Sequence, residues 1–269
     1  MEKKLSFEEI GFGERLRRML RVDFRRMLRS RTFYIIIACS LLIPILMTVM
    51  MTMMDGTESV NQQTGETVII QGPENVWQNI GTLPGGENMG GMDVFAMCNI
   101  NMAFMGVAVF ICLFVSDDFR SGYAKNLFTV RARRGEYVVS KTLAGFVCGA
   151  FMLIAYLMGS LLGGAVSSLS FDLMGLSALN IVMCILAKIF LMPVFVSVFV
   201  LISVAAKQRA WLSICGSLGG GMLLFMTVSM VTPLGSTLMN VMLCLAGGLL
   251  FAIGLGSASN LVLKKTSLV

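Results

Sequence analysis

Histidine is absent from this 269-residue chain. Its absence removes at once the usual side chain of general acid–base catalysis, the Ser–His pairing and the HExxH zinc site. Charge is scarce as well, at 13% of residues, against about 25% in an average soluble domain. The seven cysteines, at 39, 98, 112, 148, 184, 215 and 244, all fall inside apolar runs, and none forms a CxxC pair. They read as small apolar packing residues, with no disulfide framework or metal site. A GxGD motif and paired intramembrane carboxylates are also lacking, which disfavours an intramembrane enzyme.

Apolar residues fill the space that charge leaves, at 56% of the chain with a mean hydropathy of +0.82. One soluble core of this size cannot hide so much apolar surface, so the bilayer is the solvent for much of the chain. The net charge of +6 does not point to nucleic acid, because the basic residues cluster at the ends of apolar runs, where they set membrane orientation. The first apolar run begins at Phe33, is 22 residues long and lacks a small-residue cleavage site, so it reads as a retained span and not a signal peptide.

Residues 1–32 hold ten of the 21 Lys and Arg residues. From Gly13 to Arg31, Leu16, Met19, Leu20, Phe24, Met27 and Leu28 recur at helical spacing, and Arg18, Arg21, Arg25 and Arg29 form a second stripe. The pattern predicts an amphipathic helix lying at the headgroup boundary. Six spans are expected, at about 33–54, 94–115, 142–166, 181–206, 211–231 and 238–263, with Pro44 interrupting the first. The loop 55–93 holds six acidic residues and no Lys or Arg, which places it outside. It reads as a flexible polar connection; an external cap anchored by Trp77 and the Val68–Ile70 run is the alternative. Twenty of the 21 basic residues fall at the N-terminus, in 116–141, in the link after the fourth span or after the sixth. The fold class is therefore an all-α polytopic membrane protein with an N-terminal interfacial helix, 1–32, a transmembrane domain, 33–269, and both termini cytosolic. Gly145 and Gly149, Gly159 and Gly163, Gly216 and Gly220, and Gly248 and Ala252 lie four apart, a spacing that lets helix backbones approach within a bundle or at a dimer seam.

Few positions carry candidate chemistry. Gly135 through Thr142 nearly spells the phosphate-binding loop, but Ser140 stands where the second glycine is needed and no strand precedes it. No catalytic, cofactor-binding or metal-ligating residue is expected. Lys188 is the one basic residue inside a span, where insertion near the bilayer centre costs about 2.5–3.5 kcal/mol. Snorkelling to the outer surface and an inward, functional position stand as alternatives for it. Asn99 and Asn101 either line a translocation path with it or bridge neighbouring helices. Asp117 and Asp118 end the second span, where the helix dipole favours cations, so a salt-bridge partner is expected in Arg120 or on another protein, with a simply solvated pair as the alternative.

The stretch Ser116-Asp-Asp-Phe-Arg-Ser-Gly-Tyr-Ala-Lys-Asn-Leu, the basic turn after it, Glu136-Tyr137 and Ser140-Lys141 together resemble type-2 ABC transporter permeases. The likeness is greatest to small bacterial six-span subunits of lantibiotic or peptide-antibiotic export and self-protection, and Leu20 through Phe33 shares it. The resemblance implies a permease in the plasma membrane, working as a homodimer or with a related permease and with a separate ABC ATPase that carries ATP and Mg. It makes the N-terminal helix a connecting helix and puts a coupling helix in Asp118–Arg134. Contact with the ATPase is then expected of Asp117, Asp118, Phe119, Arg120, Gly122, Lys125, Asn126, Arg134, Glu136 and Lys141, with Asn99, Asn101 and Lys188 along the path. The resemblance also implies that the first and fifth spans lie near the dimer interface; the long outer loop departs from the family pattern. The rival is a motorless receptor or immunity protein whose acidic outer loop binds a cationic peptide.

Overall fold

A computed structural model describes residues 11–60, 67–69, 72–81, 99–130, 134–173 and 175–265. The start of the second expected span, Ile70, Arg131, Arg133 and the acids Glu66, Glu87 and Asp93 lie outside the described residues. The helices are α1 (Phe12–Arg29), α2 (Arg31–Met53), α3 (Met102–Arg120), α4 (Tyr123–Val130), α5 (Arg134–Val166), α6 (Ala178–Ala206), α7 (Ala210–Val231) and α8 (Leu238–Lys265). Beyond α2, three-residue strands β1 (Glu58–Val60) and β2 (Thr67–Ile69) pair antiparallel, and Val76–Asn79 forms a short 3-10 helix.

Five helices, α2, α3, α5, α6 and α8, are long and apolar enough to cross a membrane. The α7 helix has 22 residues, with a shorter apolar stretch, Ala210–Phe225, at its start. The chain is thus a multi-pass, predominantly helical membrane protein. Central α3 has two thirds of its apolar window buried, whereas α2 and α8 bury about a fifth. Between their terminal residues, the exposed side chains of those two, among them Ile35, Leu46, Leu250 and Ile253, are mostly apolar, as a lipid-facing surface requires. The core is built on Phe104 against Phe195, with ring centroids 4.5 Å apart, and on Ile111, Val196 and Phe199.

Two boundaries differ from the hydropathy reading for physical reasons. The α5 helix begins at Arg134, eight residues before the expected span, because Glu136, Tyr137, Val138, Ser140 and Lys141 are all buried among other helices. The α3 helix begins only at Met102: the side chain of Asn99 accepts the Asn101 amide at 2.9 Å and forms a turn there.

Small residues do act in packing. A Cβ on Gly159 would run into the Leu41 carbonyl oxygen and sit 2.6 Å from Pro44 Cγ, and one on Gly163 would sit 3.0 Å from Ile45 Cα. These glycines set the close approach of α2 and α5. Gly248 does the same for α8 against the Phe190 carbonyl of α6, at 2.5 Å. Gly145 and Gly149 make room for side chains, Ile111 and Met192, and Gly216 and Gly220 meet only Ile202 and Val198.

The segment 72–81 is no free connection. Val76 and Ile80 are fully buried. The Asn75 side-chain amide donates to the Asp172 carbonyl, Trp77 Nε1 to the Phe171 carbonyl at 3.2 Å, and Asn79 to Thr48 Oγ1 at 2.9 Å. The flexible-connection reading therefore gives way here to a packed cap, with Trp77 as one of its anchors. Its backbone also pairs with Ser170 and Ile100, which satisfies polar groups that would be costly to bury unpaired.

Candidate functional site

Two buried polar clusters stand at different levels of the bundle. The first joins α1, α3 and α5. Lys141 Nζ lies 2.8 Å from Asp23 Oδ1 and 2.7 Å from Asp118 Oδ2, and all three side chains are fully buried. Arg26 Nη1 forms an ion pair with Asp118 Oδ1 at 2.6 Å. Ser140 donates to Asp23 at 2.5 Å and the Tyr137 hydroxyl to Asp118 at 3.0 Å. Two cations and two carboxylates make a neutral quartet. A buried charge is tolerable only in such company, since desolvation costs several kcal/mol per ion.

Aromatic faces close the quartet. Lys141 Nζ lies 3.9 Å from the Phe114 ring centre, and the Arg26 guanidinium lies 4.4 Å above Tyr123 of α4. Burial first, then Asp23 and Asp118, raises the Tyr123 phenol above its ordinary value, so it stays a neutral ring beneath the cation. Beside the quartet, Arg15 donates to Glu136 at 2.8 Å. Arg134 donates to the Leu263 carbonyl near the end of α8 and lies over the Phe128 ring.

The residues expected to touch an ATPase therefore divide. Asp117, Arg120, Lys125 and Asn126 are exposed, and Gly122, half-buried with φ of 75°, turns the chain between α3 and α4. Asp118, Phe119, Glu136 and Lys141 are buried. Within this chain the charged groups of Asp118, Glu136 and Lys141 are already held by Arg26, Arg15 and Asp23 of α1, and Phe119 packs in the apolar core. The expected partner of the Asp117–Asp118 pair is likewise Arg26, not Arg120, with Asp117 at a looser 3.9 Å. The apolar side of α1 packs on the chain itself, with Met27 buried and Met19 and Phe24 against the core. Arg17, Arg18, Arg21, Arg25 and Arg29 remain exposed.

The sequence reading did not assign Asp23 a role. The signal was present: Asp23 stands four residues from both Met19 and Met27, so it lies on the apolar stripe of α1.

The second cluster surrounds Lys188 of α6, which is fully buried. Its ammonium donates to Asn101 Oδ1 at 2.7 Å and to Thr232 Oγ1 at 3.0 Å, and the Asn101 amide donates to Ser229 at 3.2 Å. Lys188 therefore faces inward, and the snorkelling alternative is set aside. Among the described residues no carboxylate lies within ion-pair distance of it. Asn99 is buried beside this cluster and is tied to it through the Asn101 amide. Lys188→Met keeps the length of the side chain and orphans one amide oxygen. It is expected to insert normally and to lose about 1–3 kcal/mol of stability, read from its unfolding midpoint in detergent.

Among the described residues no three His, Cys, Asp or Glu side chains converge as a metal site. The six described cysteines are free. Cys112 donates to Ser217 at 3.1 Å and accepts from Ser203, which bridges α3, α6 and α7. Comparison with family models, curated proteins and solved structures finds no match to this chain.

Proposed function

We propose that the chain is the membrane-spanning permease subunit of an ABC transporter, exporting a peptide, antibiotic or other amphipathic molecule with ATP hydrolysed on a separate subunit. The observation that carries this reading is α4, an eight-residue helix between α3 and α5 with Lys125 and Asn126 exposed. Both helices beside it are fixed to α1 by the buried quartet. A push on α4 would therefore move α1, α3 and α5 as one body, and a motor needs that kind of rigid element with two arrangements.

Six crossings, with α7 as the fifth, fit this reading. The α1 helix, α4, the start of α5 and the end of α8 meet at one end through Arg15–Glu136 and Arg134–Leu263. The α6–α7 link joins them there, since Gln208 lines the same cavity as Ser30 and Asp117. Alternating spans and the basic residues of all four segments support a cytosolic position for that end. Lys188 and Asn101 would face the path, and a second copy or a related permease would complete it.

The test is co-purification in mild detergent. A roughly stoichiometric ATPase carrying a phosphate-binding loop is expected, and Arg120→Glu or Lys125→Glu should weaken its retention about tenfold or more, because like-charge juxtaposition at an interface costs several kcal/mol. Both side chains are exposed, so the variants should insert and fold as the parent does. A chain that purifies alone under every mild condition would instead favour the motorless receptor.

A further inference from the structure

A cavity of about 230 Å³ opens where the α1–α2 junction, the end of α3 and the α6–α7 link meet. Ser30, Thr32, Ser116, Asp117, Arg120 and Gln208 supply its polar wall, and Phe110, Leu113 and Phe114 its apolar one. Ser116 is buried, and its hydroxyl has no hydrogen-bond partner within the protein. A buried hydroxyl without a partner is costly, so this one calls for a polar ligand. Ala210, the first residue of α7, also lines the cavity, which puts the positive end of that helix dipole at its wall.

Charge and level narrow the ligand. Ser30 lies between Arg29 and Arg31 in the chain, and Gln208 between Lys207 and Arg209; all four of these basic residues are exposed. Asp117 is the one acid in the wall. Trp211 and Tyr34, a residue or two beyond the lining positions Ala210 and Thr32, are 67% and 58% exposed. Exposed Trp and Tyr beside apolar spans mark the membrane–water boundary. The cavity therefore sits at headgroup depth, ringed by basic residues, with an apolar side toward the spans. Its volume equals about eight waters at their share of liquid volume, which suits a phosphate-bearing headgroup with its acyl chains outside. Basic pockets between spans on the cytosolic side take anionic headgroups in this way.

We propose that this cavity is a binding site for one anionic phospholipid, its phosphate beside Arg120 and the α7 N-terminus and its headgroup oxygens paired with Ser116. The bound lipid would join the α1–α2 junction to the α6–α7 link across the end of α3, on which both α2 and α7 pack. The site is independent of the permease reading, since it needs no ATPase.

Native mass spectrometry of the full chain, released from nanodiscs of phosphatidylcholine with about 20% phosphatidylglycerol as the anionic probe, tests the site. One phosphatidylglycerol retained per chain is expected, in preference to phosphatidylcholine. In K207Q/R209Q, two basic side chains near the surface, at about 1 kcal/mol each, predict about thirtyfold weaker retention at 1.4 kcal/mol per tenfold. In R17Q/R21Q, which removes equal charge from the exposed side of α1, retention should stay within about twofold, because neither position lines the cavity or adjoins a residue that does. Equal retention of the two lipids would overturn the site, as would equal loss in both variants, which would indicate general surface charge. Displacement of the lipid by about 10 mM inorganic phosphate, roughly ten-thousandfold above the Kd of a micromolar site, would assign the cavity to a free anion and overturn the lipid.

Discussion

Lys141→Met should destabilise the folded chain by about 3–5 kcal/mol, the cost of breaking a buried ion pair by removing one partner. The variant leaves Asp23 and Asp118 buried with Arg26 as their single cation, one negative charge in excess. Both carboxylates and Lys141 are fully buried, so solvent does little to screen that excess. Adding Asp23→Asn restores neutrality: Asp118 keeps Arg26, and the amide oxygen introduced at position 23 can still accept from Ser140. The double variant should therefore regain at least half of the lost stability, about 1.5–2.5 kcal/mol, and the coupling exceeds that recovery by whatever Asp23→Asn costs alone. The measurement is the unfolding midpoint in mixed micelles for the parent, the two single variants and the double. Additive losses, or a Lys141→Met variant within about 1 kcal/mol of the parent, would show that the quartet does not act as a unit.

Gly159→Val is the second large effect. Its Cβ would meet the Leu41 carbonyl oxygen, which is backbone and cannot rotate aside, and Pro44 Cγ at 2.6 Å. Relief requires α2 and α5 to separate, and that would also loosen the Gly163 contact a turn further along. Overpacking of this kind costs about 3 kcal/mol, the upper end of its usual range. Gly254→Val is the matched control, since nothing lies within 4 Å of a Cβ there and the position is exposed on α8. Its change should stay within about 0.5 kcal/mol. Comparing the folded yield and thermal midpoint of the two variants decides the matter. A Gly159→Val chain as stable as the control would mean that the interhelical spacing is softer than the backbone contact indicates.

The long apolar helices are legible because a bilayer imposes a coarse rule that leaves its mark in composition. The expected spans at 33–54, 181–206, 211–231 and 238–263 fall within three residues of the corresponding helix ends. The rule failed where charge was buried beside its partners. Lys141 looked like the edge of a span because a hydropathy window sees the ammonium and not the two carboxylates that neutralise it. Asp118, Glu136 and Lys141 looked like surface for the same reason. The acid at 23 was lost among ten basic neighbours, although its place on the apolar side of α1 was readable from spacing. Residues 72–81 are polar in composition, and their burial depends on Ser170, Phe171 and Asp172, about a hundred positions away, which no local window can pair with them. Lys188 was noticed correctly as the unusual residue, but its inward direction depends on Asn101 and Thr232, both distant in the chain.

The quartet also fixes an order of events at the ribosome. Asp23 is made 118 residues before Lys141. At roughly 5–20 residues per second, the interval between them is about 6–24 s. Throughout it α1 lacks the lysine it closes on, and for most of it Asp118 as well, although α2 is complete early. The buried acid of α1 therefore stays without its lysine until the third long apolar helix begins to emerge. Closure of the quartet on α1 is thus a late step of biogenesis.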